Sequence, residues 1–196
     1  MPSESEARMI EIVKVPAANW GRGDREPKYM RYPKQIDTIM FHRILVGKPP
    51  NRTSAEDIIK FFVDEGLMWI GTTDMPYTFI IEWGGAVCQC VNLQTRTPHA
   101  GSYNSRAIGV GVVGDFRKDP PSDAQRRVCP SLAVALAEIL PTAPLVTVHG
   151  AIPKATKDKN KLLGGAEECP GEHFHKTWYR ARDAVSRRMK KERIEW

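Results

Sequence analysis

Three residues with metal-binding chemistry stand far apart in this chain: His42, His149 and Cys169. Only tertiary folding can bring such distant segments to one point. Two imidazoles and a thiolate suit a tetrahedral zinc with three protein ligands, which leaves the fourth position open for a reactive water. The flanking sequence supplies rigid carriers. Ile36 to Phe41 reads as a strand that delivers His42 at its end, and Leu145 to Val148 is a short apolar strand that ends on His149.

The remaining periodicities alternate between helix and strand. Thr53-Ser54-Ala55-Glu56-Asp57 offers an N-cap with an acid three residues on, and Ile58, Ile59, Phe62 and Val63 give the stripe of a helix over about 54 to 66. Tyr77 to Glu82 and Ala86 to Leu93, joined across Trp83-Gly84-Gly85, form a predicted hairpin, and Ala107 to Val113 a further strand. Ser122-Asp123-Ala124-Gln125 is a capping box opening a helix toward Leu140, which Pro130 is expected to kink or split. Residues 1 to 35, polar and containing Gly21-Arg22-Gly23-Asp24, are expected to wrap the surface as an arm, with one domain over 36 to 196.

At 196 residues and 41% hydrophobic, the chain suffices for one substantial core. No window approaches the roughly 18 to 20 apolar residues of a membrane span. Met1-Pro2-Ser3-Glu4-Ser5-Glu6 lacks the basic start and apolar run of a secretory signal, so synthesis in the cytoplasm is expected. A monomer is the default. Cys88, Cys90, Cys129 and Cys169 are too sparse for a disulfide framework; Cys88 and Cys90, two apart on a strand, read as packing thiols, and only Cys169 as chemical.

Most of the formal charge of +6 sits in Lys176 to Trp196, where eight basic residues face three acidic ones. Phe174, Trp178, Ala181, Val185 and Met189 recur at steps of three and four, so a basic amphipathic helix over about 172 to 192 should dock this stripe on the body. Its outer face is a solvated surface first and a site for an anionic polymer second. No groove-reading or aromatic-platform motif supports nucleic-acid binding, so no nucleic acid is expected as a partner.

The succession His42-Arg43, Pro76-Tyr77-Thr78-Phe79-Ile80-Ile81, Pro98-His99-Ala100-Gly101, Asn104 with Ala107-Ile108-Gly109-Val110, Val112-Val113-Gly114-Asp115-Phe116, His149-Gly150 and Cys169-Pro170-Gly171 resembles the zinc N-acetylmuramoyl-L-alanine amidases. That family includes phage lysozyme-amidases and animal peptidoglycan recognition proteins. The resemblance covers about residues 36 to 175. It implies an α/β fold with a central mixed β-sheet flanked by helices, and one Zn2+ held in a cleft by the residues matching His42, His149 and Cys169. The implied substrate is peptidoglycan, cut at the amide between the lactyl group of N-acetylmuramic acid and L-alanine. An endolysin acting on the wall, a cell-wall hydrolase and a non-catalytic peptidoglycan-binding protein all fit the resemblance.

By the same matching, His99 and Asn104 are candidates for substrate binding, with a structural hydrogen-bonding role as the alternative for His99. His173 and His175 read as surface or supporting groups. Two positions depart from the family pattern. Some members carry a glutamate just after the Ile-Gly-Ile-like strand, where this chain has Gly111, which has no side chain to act as a base. Two residues before the ligand cysteine, catalytic relatives carry lysine or threonine, and this chain has Glu167. Tyr77 matches the tyrosine that phage lysozyme-amidases use, with Thr78 in place of the usual histidine. Tyr77 is therefore a candidate to orient the zinc water or stabilise the oxyanion, with a core tyrosine bonded through its hydroxyl as the alternative. Either Glu167 is the general base, or a residue of the basic loop Lys154 to Lys161 supplies positive charge. Lys154, Lys157, Lys159 and Lys161 make the segment between His149 and Cys169 a basic flap, with Lys154 a candidate for binding the substrate's stem-peptide carboxylates and solvated loop lysines as the default alternative.

Overall fold

A run of seven small and β-branched residues, Ala107–Val113, forms the strand around which the molecule is built, and all seven are buried. In the computed structural model, which describes residues 12–14, 30–46, 49–64, 75–152 and 167–194, this strand is β5. The others are β1 (Ile12–Lys14), β2 (Thr38–Ile44), β3 (Phe79–Ile81), β4 (Val87–Gln89) and β6 (Leu145–Val148), and the helices are α1 (Ala55–Asp64), α2 (Asp123–Ile139) and α3 (His175–Ile194). The sheet order is β1-β4-β3-β5-β2-β6. β2 runs parallel to both β5 and β6, and β3 parallel to β5, while β3 and β4 form an antiparallel hairpin. The expected mixed sheet with flanking helices is thus the fold of the chain.

The sheet's two faces differ, because successive side chains on a strand point to opposite sides. Ile39 and Phe41 of β2, with Ile108, Val110 and Val112 of β5, pack in one cluster with Cys129, Leu132 and Leu136 of α2 and Ala181 and Val185 of α3. Phe174 lies fully buried between Phe41 and Phe116, at ring distances of 5.7 and 5.1 Å. Burying such a ring contributes about 1.5–3 kcal/mol. Trp178 and Met189 complete the predicted stripe at its edge, and the Trp178 indole donates to the Val146 carbonyl at 3.0 Å, tying α3 to the edge strand β6. On the opposite face, Ile44, Ile58, Ile59, Ile80, Cys88 and Cys90 cluster under α1, so the two neighbouring thiols are packing groups.

Both predicted N-caps form. Ser54 and Asp57 bond reciprocally at the start of α1, as do Ser122 and Gln125 at the start of α2. Pro130 does not split α2, which is continuous from Asp123 to Ile139. Its missing N–H removes one helical bond, while Cys129 before it and Leu132, Ala133 and Leu136 after it are buried in the same core cluster.

One further expectation changes. β2 does not stop before residue 42: Arg43 and Ile44 continue in register with Val112 and Val113, so His42 lies inside the strand. Within the N-terminal segment, Ile12–Lys14 pairs with β4 as an edge strand, with Ile12 and Val13 exposed. From the same segment, Arg31 is buried, donating through Nε to the Leu93 carbonyl and through Nη1 to the Asn104 and Ala107 carbonyls. No helix among the described residues is long and apolar enough to cross a membrane.

Candidate metal centre

The register of β2 against β6 builds the first half of the site. Phe41 pairs with Val148, so the next residue on each strand, His42 and His149, meet at the same level of the sheet. Their rings lie 4.7 Å apart between centroids. Cys169 arrives from the turn Glu167–Gly171, where it takes an extended conformation with φ −145 and ψ 114. Its Sγ lies 3.9 Å from His42 Nδ1. One ligand atom from each of the three residues lies within 4.8 Å of the others. Zinc bonds of about 2.0–2.3 Å at tetrahedral angles put ligand atoms roughly 3.3–3.6 Å apart, so a slight contraction closes the cluster on an ion.

The turn is anchored by Gly171. With φ +122 and ψ 156 it occupies a region that side chains avoid. A Cβ there would stand 2.3 Å from the Phe116 carbonyl carbon and 2.5 Å from the Arg117 nitrogen. The turn therefore presses backbone against backbone, and His173 N–H donates to the Phe116 carbonyl at 3.0 Å beside it.

Charge states suit a cation. Burial, with His99 and His149 nearby, holds His42 well below the ordinary imidazole range, and burial lowers His149. Both present neutral lone pairs at pH 7. Burial pushes the Cys169 thiol up, against the backbone hydrogen bond from Arg43, so its thiolate calls for a positive charge of the kind a metal brings.

β5 shapes the floor. Gly109 and Gly111 face the site side of the sheet, opposite Met40 and His42 of β2. A Cβ on Gly109 would stand 2.9 Å from His99 Cγ, and one on Gly111 only 2.2 Å from Ile44 Cδ1 and 2.9 Å from Tyr77 Cδ2. The place where a glutamate would sit is filled by Ile44 and Tyr77. The glycines make room for two rings, those of His99 and Tyr77.

Of the other candidates, Tyr77 joins the cluster, its ring 5.3 Å from that of His42. Burial raises its phenol pKa, with the neighbouring Cys169 adding to the rise, so it keeps its proton at neutral pH. His99 also joins, with Nδ1 2.9 Å from His42 Nε2 and Nε2 3.1 Å from the Ala107 carbonyl. The Asn104 carboxamide oxygen accepts from the backbone N–H groups of His99 and Ala100, at 3.0 and 2.6 Å, and so holds the loop that carries His99. Lys154 and the basic flap lie outside the described residues, as does the side chain of Glu167. His173 is exposed beside Glu172, while His175 packs against Trp178. Arg31, whose Nη1 shares the Ala107 carbonyl with His99, carried no signal beyond being one arginine in a polar segment.

Residues 32–172 match the family model for N-acetylmuramoyl-L-alanine amidase. The chain belongs to this amidase family. A peptidoglycan-recognition protein of Drosophila simulans is 23% identical over 163 residues, covering 82% of each chain. Among solved structures, the endolysin N-acetylmuramoyl-L-alanine amidase LysCS from Clostridium intestinale URNW has a TM-score of 0.59 at 21% identity, over 87% of this chain and 95% of that one. The Ph2119 endolysin from the Thermus scotoductus MAT2119 bacteriophage Ph2119 has a TM-score of 0.63 at 18% identity, over 87% and 99%. Family and fold together support peptidoglycan cleavage or peptidoglycan binding by this amidase-family chain.

The histidines make acid stability a readout of the site. His42, His99 and His149 have lowered folded values, His99 to about 3 through burial, whereas unfolded histidines titrate near 6.5. As pH falls through about 6.5, the unfolded chain takes up protons first, so stability drops progressively toward the folded values. The carboxylates with lowered values, Asp37 and Asp115, act only below about 4. The urea midpoint of the metal-free protein should therefore fall between pH 7 and pH 5. An unchanged midpoint would mean that these rings are not buried neutral.

Proposed function

We propose that the chain is a zinc-dependent N-acetylmuramoyl-L-alanine amidase, hydrolysing the amide that joins the lactyl group of N-acetylmuramic acid to L-alanine of the stem peptide. The observation that carries this reading is the meeting of His42, His149 and Cys169 within 4.8 Å in a chain of this family. Two neutral imidazoles and one thiolate match zinc in donor type and number, a set of three that leaves the metal's fourth position to a water. When bound, zinc supplies Lewis acidity, which polarises the amide carbonyl and acidifies a water.

The chain's own residues do the rest. Tyr77, protonated and against His42, is a hydrogen-bond donor for the oxygen that gains negative charge as the amide is attacked, and a poor base. Tyr77→Phe should lower kcat at least about ten-fold with KM little changed, since the donor acts on charge that develops only in the transition state. An unchanged kcat would remove Tyr77 from the chemistry. Glu167, two residues before the ligand cysteine, is the candidate base, and Lys154 a candidate for the stem peptide's carboxylates. An endolysin or other cell-wall hydrolase, made in the cytoplasm and acting on the wall, is the setting this activity fits.

The space above Gly111, filled by Ile44 and Tyr77 rather than by an acid, favours a second reading, a peptidoglycan-binding protein without turnover. Insoluble peptidoglycan separates the two. The zinc-loaded protein should co-sediment with it and release new L-alanine amino termini, and a chelator should stop the release. Co-sedimentation without release would establish the binding protein and overturn the enzyme.

A further inference from the structure

We propose that His99 is a positioning residue for the metal centre: with Arg31 and the Ala107 carbonyl it forms a hydrogen-bonded line that fixes His42 with Nδ1 as its metal-binding atom. The inference rests on the zinc reading above and names the ligand atom and the device that selects it.

The direction of the line follows from what each group can do. The Ala107 carbonyl can only accept, so His99 Nε2, 3.1 Å away, carries the ring's proton. A neutral imidazole has one N–H, so His99 Nδ1 is an acceptor. The group 2.9 Å from it is His42 Nε2, which must therefore donate. That leaves the lone pair of His42 on Nδ1, the nitrogen that faces Cys169 Sγ at 3.9 Å. With the opposite tautomer, His42 would turn an N–H toward the ligand cluster and could not bind a cation there.

Three independent features hold His99 to this task. Its ring lies flat on the backbone of β5, where any Cβ on Gly109 would come within 2.9 to 3.1 Å of Cγ, Cδ2 and Nδ1. The Asn104 carboxamide oxygen fastens the backbone of His99 and Ala100. Arg31, buried to 3% exposure, fixes the far end by donating to the same Ala107 carbonyl and to the Asn104 carbonyl. Both nitrogens of His99 are thus committed within the protein, which is the arrangement of a group that orients a ligand histidine rather than one that greets a substrate.

The test reads ring nitrogens and zinc affinity, not turnover. Long-range 1H–15N spectra of the zinc-loaded wild type should show His42 protonated at Nε2 and metal-bound at Nδ1. In competition with a chromophoric chelator, His99→Phe, which keeps a ring but has no acceptor, should bind zinc about 10- to 100-fold more weakly. His99→Asn, which can offer an oxygen near the place of Nδ1, should recover most of that loss. Metal bound at His42 Nε2, or zinc affinity unchanged in His99→Phe, overturns the positioning role while leaving the zinc centre standing. Absence of zinc uptake by the wild type overturns the zinc centre and this proposal with it.

Discussion

Gly171→Ala should destabilise the protein by at least about 3 kcal/mol and carry the zinc site down with it. The backbone conformation at φ +122 alone costs a side chain about 1–3 kcal/mol. The added methyl would also meet the Phe116 and Arg117 backbone at 2.3 to 2.5 Å. Neither partner is a flexible side chain, so the turn bearing Cys169 must move away from the Phe116–Arg117 backbone, which shifts Cys169 from its place beside His42. Urea denaturation of the metal-free protein measures the first effect and chelator competition the second. Gly84→Ala is the control, since nothing lies within 4 Å of its Cβ, and its effect should stay within about 0.5 kcal/mol. A Gly171→Ala protein as stable as Gly84→Ala would show that the turn is not pinned as described.

The second large effect is at the sulfur. Cys169→Ser should reduce zinc affinity by more than about a hundred-fold, beyond the 10- to 100-fold typical of losing a supporting contact, because a hydroxyl does not replace a thiolate as a zinc donor. Stability of the metal-free protein should change little, since the metal-free thiol is protonated and a hydroxyl of similar size replaces it. X-ray absorption of the zinc-loaded wild type should show one sulfur near 2.3 Å and nitrogens near 2.0–2.1 Å. Retained affinity in Cys169→Ser, or a spectrum without sulfur, would remove this cysteine from the centre.

How far these features were legible in the sequence depends on how local their causes are. β5 and β6 match their predicted bounds because apolar runs bracketed by turn residues report strands directly. The reciprocal caps of α1 and α2 are set by residues three apart. The stripe of α3 follows from a helical period alone, and the packing of Ala181 and Val185, with Phe174 in the 3-10 turn just before the helix, agrees with it. What escaped depends on pairing between distant segments. The end of β2 is set by Val112 and Val113 of β5, not by His42. The continuity of α2 through Pro130 is decided by the core beneath it. β1 is a strand only because β4 offers it an edge.

The candidate site divides in the same way. His42, His149 and Cys169 were legible as donors, and the register of β2 with β6 explains why two of them meet. Asn104 and His99 were legible as site-lining residues, but their partners were not, since these are backbone groups whose positions no side-chain pattern reports. Gly109 and Gly111 show the same limit. In the sequence Gly111 is a missing acid, whereas in the fold it is the space that Ile44 and Tyr77 fill.

The most direct test of the account is a mass spectrum of a defined N-acetylmuramoyl peptide after incubation with the zinc-loaded protein. It should show two products, a muramic acid with a free lactyl carboxylate and a peptide with a free L-alanine amino terminus, together heavier than the substrate by one water. An intact substrate, or products cut within the glycan or the stem peptide, would contradict the assignment of the His42, His149 and Cys169 centre to this amide bond.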